Sequence, residues 1–191
     1  MKSKKKVFLT VLCAAALVVA SVLGTMAFLT SKDTVTNTFT VGKVAITLDE
    51  AKVDEAGNEV SQAERIKANT YKLIPGHTYT KDPTIHVTAN SEDSWIFVKV
   101  ENGLADIEAD TKIADQIAAK GWTALPDNAG VYYKEYTSAI AVTDLKVFDQ
   151  FKLTDNADVE TYRTAQIKVT GYAIQKDGFN TAAAAWAEVS K

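Results

Sequence analysis

Two histidines, His77 and His86, with Asp82 between them, come nearest to a metal-binding set in this 191-residue chain. His77 sits beside the Pro75-Gly76 turn signal and His86 in a β-prone run, so pairing strands could bring the three together. A catalytic zinc ion, however, needs three protein ligands and an open position held by outer hydrogen bonds. The plainer reading makes His77 a turn residue and His86 an outward-facing strand residue, with no metal and no other cofactor. The chain has no Gly-x-Ser-x-Gly elbow, no phosphate-binding glycine loop and no His-Glu-x-x-His helix. No residue is therefore assigned a catalytic role, and an enzyme is not expected.

Two acidic loops, Asp127-Asn128 and Asp155-Asn156-Ala157-Asp158, offer oxygen ligands of the kind calcium takes, but neither has EF-hand spacing. Turns favour Asp and Asn for their own reasons. The aromatic residues Trp95, Phe97, Trp122, Tyr132, Tyr133, Phe148 and Phe151 could form a sugar-stacking platform. Their positions in alternating strands point instead to core packing, with Tyr133 and Tyr136 as the rings to look for at the surface.

The compartment is written in the first residues. Lys2, Lys4, Lys5 and Lys6 precede an apolar run from Val7 to Leu29 that no carboxylate interrupts. Such a run is a signal peptide or, at roughly twenty residues, a membrane anchor. Thr25 and Ala27 make a small-x-small cleavage site, so residues 1–27 are read as a signal peptide cut between Ala27 and Phe28. Residues 28–191 are then the mature chain, one domain. Removing four lysines and no acid moves the formal charge from −3 to −7, which argues against nucleic acid as a partner. The single cysteine, Cys13, leaves with the signal segment, and bulky Leu12 before it speaks against lipid attachment. An exported domain without a disulfide takes its stability from its core or from neighbours in an assembly.

The mature chain reads as a series of short strands. Residues 34–48 are rich in Thr, Val and Phe, with a change of parity at Gly42-Lys43 that implies a bend or bulge. Residues 49–68 read as a loop or short exposed helix, and residues 71–74, 84–88 and 95–101 as strands. In the last of these both faces are apolar, as in a central strand covered on both sides. Ile113 and Ile117 mark a helix inserted between Asp106 and Lys120, stopped by Gly121. Residues 122–125 and 131–137 form a hairpin, residues 145–153 and 165–174 two more strands, and Asn180 or Thr181 caps a final helix. The fold class is all-β: an antiparallel jelly-roll-type β-sandwich with short inserted helices.

The segment that cleavage would expose, Phe28-Leu29 followed by Thr34-Val35-Thr36-Asn37-Thr38-Phe39-Thr40-Val41, has two readings. It is the first strand of its own domain, or it completes the sheet of a neighbour by strand addition. A head-to-tail contact of the second kind does not close and generates a filament.

The stretch Gly24-Thr25-Met26-Ala27-Phe28 followed by Phe39-Thr40-Val41-Gly42-Lys43-Val44 resembles the TasA/camelysin family of Gram-positive biofilm-matrix proteins. So do Leu73-Ile74-Pro75-Gly76, Lys81-Asp82-Pro83-Thr84-Ile85, Asn90-Ser91, and Trp95-Ile96-Phe97-Val98-Lys99-Val100. Ala173-Ile174-Gln175, Gly178-Phe179 and Ala185-Trp186 extend the likeness over nearly the whole mature chain. The resemblance implies a secreted jelly-roll subunit, cut by a SipW-type signal peptidase, in the extracellular matrix or at the cell surface. Its partners would be identical subunits, joined by donor-strand complementation, with other matrix or anchoring proteins. The donor would be residues 28–41, with Phe28, Leu29, Val35, Phe39 and Val41 as its contacting side chains. No C-terminal sorting motif precedes Lys191, which implies a fibre not covalently sorted to the wall. The family also carries a metallopeptidase classification. His77, Asp82 and His86 do not supply the ligands and general base such a mechanism needs. An accessory subunit that anchors or starts a fibre is the remaining alternative.

Overall fold

The computed structural model describes residues 43–109, 111–139 and 143–191. The expected signal segment with Cys13, the cleavage point Ala27/Phe28, and Leu29, Val35, Phe39, Val41 and Gly42 lie outside the described residues. Nine strands and two α-helices are described, and every strand pairing is antiparallel.

The largest sheet has the order β5-β6-β4-β9, with β4 spanning Ser94–Asn102, β5 Thr123–Ala124, β6 Val131–Tyr136 and β9 Ile167–Gln175. Strand β4 is central, and Trp95, Ile96, Phe97 and Val98 are all buried. Successive side chains of a strand point to opposite faces, so β4 needs a cover on each side. On one face Trp95 and Phe97 pack with Leu125, Val131, Ala185 and Trp186. The cover is α2, Ala182–Val189, whose N-cap Thr181 accepts a hydrogen bond at Oγ1 from Ala184 N at 3.2 Å. Trp186 lies 5.3 Å from the Phe97 ring and 5.1 Å from Tyr172. Pairs of this kind add about 1 kcal/mol beyond the area they bury.

The opposite face carries Ile96, Val98, Val100, Ile167 and Val169 into the larger core. There it meets a three-stranded sheet of order β1-β3-β7, with β1 at Ile46–Asp49, β3 at Thr84–Val87 and β7 at Asp144–Lys146. The two sheets approach closely at Gly171. A Cβ there would stand 3.2 Å from Ile85 Cδ1 and 3.4 Å from Ile46 Cδ1. Glycine at this point admits the side chains of β1 and β3 against β9.

Strands β2, Thr78–Thr80, and β8, Gln150–Lys152, form a two-stranded sheet. Its register continues that of β3 and β7: Thr80 opposes Gln150, Lys81 N donates to Asp149 O at 3.0 Å, Val147 N donates to Pro83 O at 2.8 Å, and Thr84 opposes Lys146. The four strands are one antiparallel ribbon interrupted where Pro83 has no N–H to give. The single strand expected over residues 145–153 is therefore two, joined through buried Val147 and Phe148.

One further expectation is corrected. Residues 71–74 form no strand, because Tyr79 Oη donates to Lys72 O at 2.8 Å and accepts from Ile74 N at 2.6 Å. A side chain has taken the backbone partners that a strand would use. Of the two readings of residues 49–68 the loop is observed after Asp49 ends β1, and the isolated bridges Glu50–Ile66 and Val53–Glu59 close that segment on itself. The inserted helix α1, Ile113–Ala119, begins where Glu108 Oε1 accepts from Ile113 N at 2.7 Å and buries Ile113 and Ile117.

Replacing Gly171 by valine is predicted to overpack the junction of the two sheets and cost about 1–3 kcal/mol. Urea denaturation reads this directly, and an unchanged midpoint would contradict the close approach described here.

Candidate functional site

The histidine that sequence reading placed on the outer face of a strand lies in a charged network across β1, β3 and β7. His86 opposes Asp144 in the register of β3 and β7. Its Nδ1 lies 2.7 Å from Asp144 Oδ1 and its Nε2 2.9 Å from Asp49 Oδ1. With a carboxylate at each ring nitrogen, the imidazole can donate to both only in its doubly protonated form. Burial alone would lower its pKa, but the hydrogen bonds and charges of Asp49 and Asp144 outweigh burial and raise it above the ordinary value. Burial would likewise raise Asp49, yet Arg65 and His86 hold that carboxyl below its usual range.

Arg65, from the loop after β1, joins the network to the ribbon. Its Nε contacts Asp49 Oδ1 at 2.5 Å, its Nη1 contacts Asp82 Oδ2 at 2.9 Å, and its Nη2 donates to Asp82 O at 3.0 Å. Asp82 is buried and also accepts from Ala51 N at 2.6 Å. Beside it Lys81 Nζ meets Glu50 Oε2 at 2.5 Å, while Asn69 Nδ2 donates to Glu50 Oε1 at 3.0 Å. His77, Asp82 and His86, the three residues weighed as a metal set, do not come together. His77 turns away to Ala56 O at 2.7 Å and packs edge-on to Tyr79, with ring centroids 4.6 Å apart. Among the described residues no three His, Cys, Asp or Glu side chains come together as a metal set. The carboxylates of Asp49, Asp82 and Glu50 are held by cations, so the cluster acts as a staple across the sheet. Sequence reading missed Arg65 and the Lys81–Glu50 pair, because their partners lie 16 to 31 residues away.

The other candidates have structural roles. Asn128 Oδ1 accepts from Trp186 Nε1 at 3.0 Å, and Asp158 Oδ2 accepts from Thr161 Oγ1 at 2.6 Å. Trp95, Phe97, Trp122, Phe148 and Phe151 are buried, as expected for core rings. Neither tyrosine named as a possible surface exception is exposed: Tyr136 is buried, and half-buried Tyr133 sits edge-on to Trp95 at 5.8 Å.

The larger feature is a sheet edge. Gly103 N donates to Gln166 O at 2.9 Å and Lys176 N to Asp93 O at 2.7 Å, so even-numbered residues of β9 face β4. Antiparallel pairing alternates, and Ile167, Val169, Gly171 and Ala173 turn their N–H and C=O groups away from β4. Among the described residues none pairs with those groups. Other strands have some of their outward groups engaged. Lys67 Nζ donates to Leu48 O of β1, and Trp122 Nε1 to Lys146 O of β7 at 2.9 Å. Thr80 N of β2 donates to Gly57 O at 2.9 Å. The Gln116 amide takes both Gln150 N at 3.2 Å and Gln150 O at 2.8 Å on β8. At the N-terminal end of β9 a cavity of about 450 Å³ opens, lined by Tyr71, Leu73, Leu104, Phe151 and Ile167 among others.

Among the described residues the chain is mostly β and antiparallel, with two short α-helices, a charged staple and one long edge without a partner. The chain matches no family model, no curated protein and no solved structure. Among the described residues no helix is long and apolar enough to cross a membrane.

The raised pKa of His86 sets a pH dependence. The stabilisation is complete below the unfolded value of about 6.5 and is lost as pH rises through the higher folded value. Urea midpoints are predicted to fall on the alkaline side by an amount worth about 1 kcal/mol or less, and a His86→Asn variant is predicted to lack that step. A step of equal size in the variant would remove His86 as its source.

Proposed function

We propose that this chain is a noncatalytic, secreted subunit of extracellular biofilm-matrix fibres, built on a jelly-roll-type β-sandwich. In this reading a SipW-type signal peptidase removes residues 1–27 at Ala27/Phe28, and the freed segment of residues 28–41 adds as a strand to the next copy. The observation that carries it is the outer edge of β9, nine residues long and without a partner among the described residues. An exposed strand of that length is a template for pairing with another chain. Backbone hydrogen bonds would give the contact its affinity, and alternate side chains its register. The sequence resemblance to the TasA/camelysin family supports the same reading. The charged network supports a structural role, since its carboxylates hold strands together.

Electron microscopy of the purified chain beginning at Phe28, beside one lacking residues 28–41, tests the proposal. Fibres are expected from the longer chain alone. Fibres from both would move assembly to another surface, and fibres from neither would end the self-polymerising reading. A Phe39→Asp variant is predicted to remain a folded monomer and to lose fibres, because assembly would bury an unpaired carboxylate. Normal fibres from that variant would remove Phe39 from the contact.

A further inference from the structure

We propose that the side chains of Lys81 and Asn69 condense into an internal amide cross-link, Lys81 Nζ to Asn69 Cγ, with the Glu50 carboxylate moving the protons. The reaction is one event per chain, with no turnover, and it does not depend on how copies of the chain assemble.

An amine, an amide and a carboxylate meet beside the ribbon. Lys81 and Glu50 are both buried, and Lys81 Nζ contacts Glu50 Oε2 at 2.5 Å. The other oxygen, Oε1, accepts from Asn69 Nδ2 and from Asn69 N, each at 3.0 Å. One carboxylate therefore touches both reacting groups. The Asn69 amide is held on all sides, since Nδ2 also donates to Ala51 O at 2.8 Å and Oδ1 accepts from Val53 N at 2.9 Å. These partners fix which end of the amide is oxygen and which is nitrogen. Lys81, Glu50, Asn69 and Tyr71 all line the cavity of about 450 Å³, which gives a small product a way out. The Tyr71 ring centroid lies 5.9 Å from Lys81 Nζ. Burial, and after it the charge of Glu50, raises the Tyr71 phenol above its ordinary range, the mark of surroundings that disfavour charge.

The chemistry balances without any added reagent. Glu50 takes a proton from the Lys81 ammonium and leaves an uncharged amine, the nucleophilic form of lysine. Its lone pair attacks Asn69 Cγ, and the Val53 N–H supports the charge that develops on Oδ1. The Cγ–Nδ2 bond then breaks, and Nδ2 departs as ammonia with a second proton from Nζ, passed by way of Glu50. Nothing is oxidised or reduced. The products are a secondary amide and a neutral Glu50 carboxyl, so a buried ion pair, costly to desolvate, is replaced by uncharged groups. The new bond closes a ring from Asn69 to Lys81 and fastens the loop after β1 to the ribbon. Residues 28–191 contain no cysteine, and the cross-link supplies the covalent tie that a disulfide gives other exported domains.

Tryptic digestion of the folded, purified protein followed by mass spectrometry tests the proposal. The expected product is residues 68–72 joined through Lys81 to residues 73–99, uncut after Lys81 and lighter by one ammonia than the two segments together. Lys81→Met and Asn69→Ala chains are expected to give no joined peptide. A Glu50→Gln chain, which cannot take the proton, is expected to join about 100-fold more slowly. Residues 68–72 and 73–81 recovered only as separate peptides, even after prolonged incubation of the folded protein, would overturn the proposal. Loss of ammonia at Asn69 without joining would do the same, as would a Lys81–Glu50 link, recognised by loss of water. Joining at the unaltered rate in Glu50→Gln would remove Glu50 as the proton carrier. The digest of the unsubstituted chain decides the bond itself, whether or not each variant folds.

Discussion

Strand β4 carries large apolar side chains on both faces, so the sheet that contains it has to be covered twice. Trp95 and Phe97 call for one cover and Ile96, Val98 and Val100 for another, and the rest of the molecule divides between them. Helix α2 closes the first face, and the ribbon of β2, β3, β7 and β8 with β1 closes the second. Burying a ring such as Phe97 contributes about 2–3 kcal/mol relative to exposure. The indoles obey the same constraint, because a buried N–H needs an acceptor. Trp122 finds Lys146 O, Trp186 finds Asn128 Oδ1 and Trp95 finds Phe179 O at 3.3 Å, so each tryptophan ties its layer to a neighbouring segment.

The ribbon brings a cost where its ladder breaks. Lys81, Asp82 and Pro83 cross between β2 and β3, and both charged side chains there are buried. A buried charge is tolerated when it is paired and its remaining hydrogen-bonding positions are filled. Glu50 answers Lys81, and Arg65 answers Asp82 while also reaching Asp49. The loop of residues 50–69 is therefore held by charges the ribbon would otherwise leave unpaired. His86 extends the same system outward to Asp144, where exposure to solvent weakens it.

A sheet covered on both faces is still open at its ends. The protein engages at least one outward backbone group on each of β1, β2, β7 and β8 with a side chain or loop carbonyl, and each of those strands is short. On β9 the same economy stops, because its partner on one side is β4 and no described segment supplies the other. Among the described residues β9 is thus a long strand whose outer edge has no partner.

Local patterns in the sequence determined much of this fold. The two apolar parities of residues 95–101 require a central strand, the Pro-Asp-Asn-Ala-Gly run turns the hairpin of β5 and β6, and Thr181 starts the last helix. Each depends on neighbours within a few residues, where periodicity and capping act. Tertiary structure alone decided the rest. Residues 71–74 look like a strand until the Tyr79 hydroxyl takes their backbone groups, and residues 145–153 look continuous until Pro83, far away in sequence, interrupts the ladder. Asp49, Arg65, Asp82, His86 and Asp144 could not be grouped from spacing, because the folded chain brings their contacting pairs together across 16 to 58 residues. The open edge was equally illegible, since a strand's free side is defined by which partners it lacks, and only the assembled sheet specifies those.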